Sequence, residues 1–252
     1  MKALVLAGGR RDAVCDGTNA PNKAFVPIGG VPMVERVLRT LRSVPQIERI
    51  TVVAPSVTLG DPALAAADER REAGDPIVES IERGLTGFDP GELVLLATSD
   101  APLMAPISVE AFAIALWLTQ ADLVYSIAEK AAHDVIYPGV PHTWARMTGG
   151  VYCGGALFGM RPRVLPALRG FLDKLAAARK SPLRLASFFG WDVLVRFALA
   201  LLSIEAAENR ASAILGHEVR AQIVPPDCAF NVDRKSDIAL AERFLDAESQ
   251  RT

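Results

Sequence analysis

Three short apolar runs, each closed at its C-terminal end by small or acidic residues, constrain the fold most. Lys2–Ala7 (KALVLA) ends at Gly8-Gly9, Arg49–Ala54 (RITVVA) at Pro55, and Glu92–Thr98 (ELVLLAT) at Ser99-Asp100. Apolar runs of this length without polar alternation read as strands buried on both faces, the condition of a parallel sheet. Between them the period becomes helical. Ala24–Ile28 and a Gly29-Gly30 turn lead to Pro32 in a first helical turn, then to Met33, Val34, Val37, Leu38 and Leu41. Pro76–Leu85 puts Ile77, Ile81 and Leu85 on one face. Ala121–Ile127, Val151–Met160 and His217–Val224 read as further strands, and Ser236–Ala247 as a closing helix capped by Ser236. The alternation predicts a doubly wound α/β sheet.

Composition narrows the function classes. At 252 residues, half of them hydrophobic, the chain can bury a sizeable core. Lys+Arg 27 against Asp+Glu 29 gives a net charge of -2, no footprint for nucleic acid or an anionic membrane. Cys15, Cys153 and Cys228 are odd in number and form no CxxC pair, so they read as small buried hydrophobes in a reducing compartment. The opening MKALVLAGGRR lacks a cleavage-like region and does not read as a secretory signal. The longest apolar candidate, Trp191–Ile204, is broken by Asp192 and Arg196. As a helix it would cover about 21 Å of a roughly 30 Å hydrocarbon core. The expectation is a soluble cytoplasmic protein without a transmembrane segment.

The chain reads as one domain, 1–252, with a helix-rich insertion at about 163–213. Within that insertion Leu165, Leu168, Phe171, Leu172 and Leu175 form a stripe, and Val193–Ile204 is apolar on nearly every face. A helix of that kind is buried all round, as a core element or a homodimer contact. The alternative is a groove for a hydrophobic or lipid-linked acceptor, with Arg179, Lys180 and Arg184 meeting its phosphate. Val57–Asp75, rich in Ala, Asp and Glu, reads as a mobile surface segment.

Ligands of an open parallel sheet bind beyond the carboxyl ends of its strands. Three features stand there. Gly8-Gly9 allow backbone amides to approach an anion, with Arg10, Arg11 and Lys23 available to neutralise it. The pattern is neither GxGxxG nor a P-loop, and a glycine turn with solvated charges is the alternative. Asp100 follows the third strand, and Asp233 in Phe230-Asn231-Val232-Asp233-Arg234 precedes the last helix. Two carboxylates can share a magnesium ion that also grips phosphates, or each can merely cap a turn. His133, His142 and His217 have no partner at ligand-like spacing and read as core or surface residues.

LAGG, then NKAFVPIGGVPMVERVL, then TSDAPLM, then FNVDRKSD stand in an order that resembles the MobA-like, sugar-phosphate nucleotidyltransferase family. Its members include molybdenum-cofactor guanylyltransferases and N-acetylglucosamine-phosphate uridyltransferases. The resemblance implies a nucleotide-diphospho-sugar transferase fold, a Rossmann-like three-layer α/β/α sandwich on a mixed, mainly parallel sheet. It implies Mg²⁺-dependent transfer of a nucleotide from a nucleoside triphosphate to a phosphorylated small molecule or lipid precursor, with release of pyrophosphate. CTP is preferred over GTP or UTP by analogy alone. By the same resemblance Leu6, Ala7, Gly8, Gly9 and Ser99 would hold the nucleotide, its phosphates lying on the amides of Ala7, Gly8 and Gly9. Arg10 or Arg11, with Lys23, would stabilise the leaving pyrophosphate, and Asp100 and Asp233 would hold Mg²⁺. Gly74, Asp75 and Ser80 would lie at the base, and Arg146, Gly154 and Gly155 at the acceptor. The loop Arg10–Asn22 departs from the pattern: it is longer than in compact members and carries Asp12 and Asp16. That departure leaves a non-catalytic nucleotide-binding module as the second reading. An oxidoreductase fits poorly, because the second strand ends in Val53-Ala54-Pro55 rather than in an acid. A glycosyltransferase would favour DxD over TSDAP.

Overall fold

Strand β1 (Lys2–Leu6) sends Ala3 and Val5 to one hydrophobic cluster and Leu4 to another, so the sheet around it is covered on both faces. A computed structural model describes residues 1–178 and 189–249 of the chain. After β1 come β2 (Pro27–Ile28), β3 (Val31–Pro32), α1 (Met33–Arg42), β4 (Arg49–Ala54), β5 (Glu69–Glu72), α2 (Ile77–Leu85) and β6 (Val94–Thr98). The second half holds α3 (Pro106–Leu118), β7 (Leu123–Glu129), α4 (Lys130–Ile136), β8 (Ala145–Met147) and β9 (Gly150–Met160). It closes with α5 (Leu165–Ala178), α6 (Trp191–Ala198), α7 (Ile204–Leu215), β10 (Val219–Ile223) and α8 (Lys235–Ser249).

The main sheet runs β10-β7-β9-β6-β1-β4-β5, with β8 beside β9. β1 is parallel to β4 and β6, β4 to β5, and β10 to β7, while β9 runs antiparallel to β6 and β7. The sheet is mixed and mostly parallel, as the resemblance implies. On one face α1 and α3 bury Val34, Leu38, Leu41, Phe112 and Leu116; on the other α2 buries Ile81 and Leu85 against Leu4, Val53 and Leu96. β2 and β3 form a hairpin through Gly29 and Gly30, both at positive φ, the conformation a two-residue turn of this kind requires.

Several expectations change. Val57–Asp75 is no mobile segment throughout, because Glu69–Glu72 pairs with β4 as the sheet's edge strand. An edge carries charge on its exposed side, which conceals the strand from an apolar-pattern reading. Val78, rather than Ile77, is buried in α2; helix formation from Ile77 sets the phase so that Ile77 faces solvent. Pro32 ends β3 and stands just before α1. Ser236 does not cap the last helix: α8 starts at Lys235, and the Asp237 carboxylate accepts the amides of Asp233 and Arg234 at 3.0 and 2.8 Å. The apolar stretch around 193–204 is not a helix buried all round. Its helix ends at Ala198, and no residue of Trp191–Ala198 is buried. The expected contacts of Arg179, Lys180 and Arg184 lie outside the described residues.

Gly84 shows how tightly α2 lies on the sheet: a Cβ there would sit 2.5 Å from Leu4 Cδ1 and 3.1 Å from Val53 Cγ1. Both neighbours are fully buried and cannot move away. Gly84→Ala is expected to cost about 1–3 kcal/mol, read as a lower urea midpoint at unchanged slope.

Candidate active site

The site begins where β1 stops. The Ala7 amide still donates to Val53 O at 2.8 Å, continuing the sheet, so the chain leaves it only at Gly8. Ala7 therefore has no amide to offer a phosphate, contrary to the expectation from sequence. Among the described residues the amides of Gly8 and Gly9 have no acceptor. Gly8 must lack a side chain, since a Cβ would lie 2.6 Å from the Ala73 Cβ.

Buried Asn22 shapes this loop. Its Nδ2 donates to Ala7 O at 2.9 Å and Gly9 O at 3.2 Å, while its Oδ1 accepts the Ala24 amide at 3.1 Å. That last bond caps the short 3-10 turn carrying Lys23. One carboxamide thus sets both the glycine loop and the lysine. The sequence reading passed over it, although an Asn directly before a short helical turn is a cap signal.

The two arginines separate. Arg11 donates to the carbonyls of Ala20, Cys15 and Thr18, tying the 12–20 loop together. Arg10 extends from the loop, pairs with Asp75 and lines the adjoining cleft. Asp12 caps a turn by accepting the Val14 amide at 3.0 Å.

Lys23 Nζ stands 2.6 Å from Asp100 Oδ2 and 3.1 Å from Asp233 Oδ1. Burial opposes the ammonium, but the two carboxylates prevail and hold its pKa above the ordinary lysine value. Asp100 lies just beyond β6, and its carbonyl accepts the Val232 amide at 2.9 Å, which locks the segment bearing Asp233 beside it. Asp233 is set in place at the start of α8 by the Asp237 bonds. The other Asp100 oxygen, Oδ1, is buried with no hydrogen-bond partner among the described residues. An unspent buried carboxylate oxygen beside a second carboxylate fits a hard divalent cation completed by water and phosphate oxygens.

Lys23, Asp100, Gly8, Gly9 and Arg10 open on a cleft of about 560 Å³ that also reaches Leu6, Ser99, Gly74, Asp75 and Ser80. At its far end the Ser80 hydroxyl accepts the Gly74 amide at 2.9 Å and donates to the Gly74 carbonyl at 2.8 Å. Ser80 thus spends its hydroxyl proton on shaping the loop and lines the cleft with an acceptor lone pair alone. Arg83, which the sequence reading missed, reaches the same cleft and donates to Ala73 O at 3.0 Å and Glu79 Oε1 at 2.7 Å.

A family model for the MobA-like NTP transferase domain matches residues 3–186. The chain belongs to that family. A hypothetical transferase from Thermus thermophilus is 32% identical, over 94% of this chain and 98% of its own, with a TM-score of 0.82. Two more distant structures share the fold. 4-Diphosphocytidyl-2C-methyl-D-erythritol synthase from Anaerococcus prevotii is 14% identical over 97% of this chain and 95% of its own, TM-score 0.60. CMP:2-keto-3-deoxy-manno-octonic acid synthetase complexed with CTP is 13% identical over 98% of this chain and 99% of its own, TM-score 0.55. No curated protein matches the sequence.

The residues expected at an acceptor, Arg146, Gly154 and Gly155, stand apart from this cleft. A Cβ on Gly154 would meet the Tyr125 hydroxyl at 2.1 Å, and one on Gly155 the Ser126 Oγ at 2.3 Å. Both glycines make room for the protein's own side chains, and neither lines the cleft. Arg146 is exposed on β8, away from the cleft lining. Two histidines gather instead: His133 Nε2 and His142 Nε2 are 2.9 Å apart, packed edge-on with Trp144. Burial, then the neighbouring His142, pushes His133 down to about 4. Burial also lowers His142, against the opposing pull of Asp233 and Asp237, so this pair borders the aspartate site.

Two outcomes follow. Asn22→Ala removes three bonds from the loop and should weaken nucleotide binding by about tenfold or more, as about 1–3 kcal/mol of desolvation is left uncompensated; isothermal titration would read it. His133, with a folded pKa near 4 against 6.5, favours the unfolded state as it takes up protons. Stability therefore falls as pH drops from about 6.5 toward 4, and His133→Gln should flatten that part of a urea-midpoint profile.

Proposed function

We propose that the chain is a Mg²⁺-dependent nucleotidyltransferase that moves a nucleoside monophosphate from a triphosphate, CTP in preference, to a phosphorylated small-molecule or lipid-precursor acceptor. The observation carrying this reading is the Lys23 ammonium held between Asp100 and Asp233 at one end of the cleft. Two fold neighbours with cytidine nucleotides in their names support the choice of base.

Asp100 and Asp233 would hold the ion. When bound, Mg²⁺ supplies Lewis-acid polarisation of the α-phosphate. The remaining work falls to this chain. Lys23, drawn from the carboxylates toward the incoming phosphates, neutralises charge as it develops. The Gly8 and Gly9 amides receive phosphate oxygens, and Arg10, released from Asp75, meets the outer phosphates. An acceptor phosphate oxygen attacks the α-phosphorus in line; the bond to the β-phosphate oxygen breaks and pyrophosphate leaves with its electron pair. Positioning and charge stabilisation suffice for such a transfer, with no covalent enzyme intermediate. The long loop gives little ground for the non-catalytic reading, because Asp12 is spent as a cap and Arg11 as an internal tie.

Pyrophosphate release from CTP, GTP and UTP across a panel of phosphorylated acceptors tests the activity. Asp100→Asn and Asp233→Asn should each lower turnover about a hundredfold or more at unchanged melting temperature. The arginines should part company. Arg10→Ala lowers activity and leaves stability intact, whereas Arg11→Ala lowers the melting temperature by releasing the loop. Near-normal turnover in both aspartate variants would remove the metal assignment.

A further inference from the structure

The cleft takes up only one side of Asp100. From Thr98 and Asp100 at the end of β6 it extends past Gly8 and Gly9 to Gly74 and Ser80, over the half of the sheet formed by β1, β4 and β5. With pyrophosphate leaving on the Gly8–Gly9 side, as in the proposed transfer on which this inference rests, in-line attack brings the acceptor substrate from the other side, over β9 and β7.

Tyr125 of β7 stands there. Its ring packs edge-on against Phe158, with 5.2 Å between centroids. Phe158 and Leu6, which lines the cleft, pack on the same hydrophobic cluster, so Tyr125 shares the cleft's face of the sheet. Tyr125 is paired with Phe158, yet its hydroxyl reaches over Gly154, where a Cβ would lie 2.1 Å from it. Ala97 is opposite Leu157, so antiparallel β9 carries Gly154 past the end of β6, on the side where Asp100 follows. The phenol thus leans from β7 across β9 toward the Asp100 end of the cleft. A bulge accompanies it: two steps along β7, from Tyr125 to Ile127, match four along β9, from Phe158 to Gly154. Bulges re-aim side chains beside active sites. Tyr125 is 42% exposed against 7% for Tyr137 and 8% for Tyr152, and its hydroxyl has no hydrogen-bond partner among the described residues. Burial, then the nearby Cys153, holds its pKa above the ordinary tyrosine value, so the phenol is a proton donor at neutral pH.

The floor around Tyr125 selects the body of the acceptor substrate. Alternate residues of a strand share a face, so β7 presents Tyr125, Ile127 and Glu129 here. Parallel register sets Ala221 of β10 beside Tyr125, and the exposed Ile223 beside Ile127. β7, β9 and β10 place no lysine or arginine on this face, since Arg220 alternates to the other. The Tyr125 hydroxyl is therefore the exposed side-chain donor that the floor offers a phosphate, and Glu129 opposes a second anionic group. A polyol body would set its hydroxyls against Ala221, Ile127 and Ile223 without partners, whereas a flat or apolar body buries itself there.

We infer that Tyr125 contacts the acceptor substrate: its hydroxyl donates to the acceptor's phosphate, and its ring, with Ile127 and Ile223, carries a neutral aromatic or apolar body. The test is calorimetric titration of the full chain with phenyl phosphate and with glucose 1-phosphate. The unaltered chain should bind phenyl phosphate about tenfold more tightly. Tyr125→Phe should keep that preference and bind both probes about tenfold more weakly, through loss of the hydrogen bond to a charged group. Tyr125→Ser should erase the preference, with circular dichroism reporting both variants folded. Equal affinity for the two probes, no binding of either by the unaltered chain, or unchanged binding by the variants would overturn the inference. The melting shift from CTP with Mg²⁺ is read in parallel. It should survive in both variants, and its loss there alone would show that Tyr125 acts on the whole site and overturn the inference likewise. A shift absent already from the unaltered chain, with the probes behaving as expected, would sink the proposed transfer and leave Tyr125 in an organophosphate site.

Discussion

Two carboxylates held at neighbouring strand ends repel one another unless a cation stands between them, and here that cation is Lys23. It is 77 positions from Asp100 and 210 from Asp233 in sequence, so the cluster exists only when the sheet is complete. Parallel pairing of β1 with β6 brings the Lys23 loop alongside Asp100. The Val232–Asp100 backbone bond then brings in the last segment of the chain. One positive charge against two negative leaves the cluster short by one, and among the described residues Asp100 Oδ1 is buried without a hydrogen-bond partner. Under the proposed function, a magnesium–triphosphate complex would answer it on both sides, with metal for the carboxylates and phosphate for the lysine.

The rest of the cleft is organised so that few groups remain available. Ala7, Arg11, Asp12 and Ser80 all commit hydrogen bonds within the protein. Among the described residues, the groups facing the cavity include two glycine amides, Lys23, Arg10, Arg83 and the orphan Asp100 oxygen. This division rigidifies the walls while leaving charge-bearing groups to the ligand, the arrangement that electrostatic preorganisation requires. The chain belongs to the MobA-like NTP transferase family, and under the proposed function these groups would be what it contributes to the transfer.

Much of this was legible in the sequence because the carrying signals are local. Arg49–Ala54 carries an unbroken β-branched run from Ile50 to Val53, and the strand matches the expected bounds residue for residue. Lys23, Asp100 and Asp233 were identified by the order of their motifs, since spacing alone says nothing about distance across 210 positions. The misses have physical causes. β5 is an edge strand whose charges hide its pattern. Arg10 and Arg11 are adjacent and identical, and only the path of the loop decides which turns inward. Gly154 and Gly155 read as ligand contacts because a missing Cβ does not reveal what fills it, here Tyr125 and Ser126. The His133–His142 contact depends on the chain reversing between α4 and β8, which no periodicity records. α6 misled because apolarity all round a helix implies burial only if the helix continues.

The central claim is that the aspartate–lysine cluster is a metal-dependent nucleotide site, and thermal melting with CTP, with and without Mg²⁺, tests it most directly. At a hundred times the dissociation constant a ligand adds about 2.7 kcal/mol, several degrees for a chain of this size. The account predicts that shift with Mg²⁺ and CTP together and little with CTP alone. An equal shift without the metal, or none from any triphosphate, would contradict it.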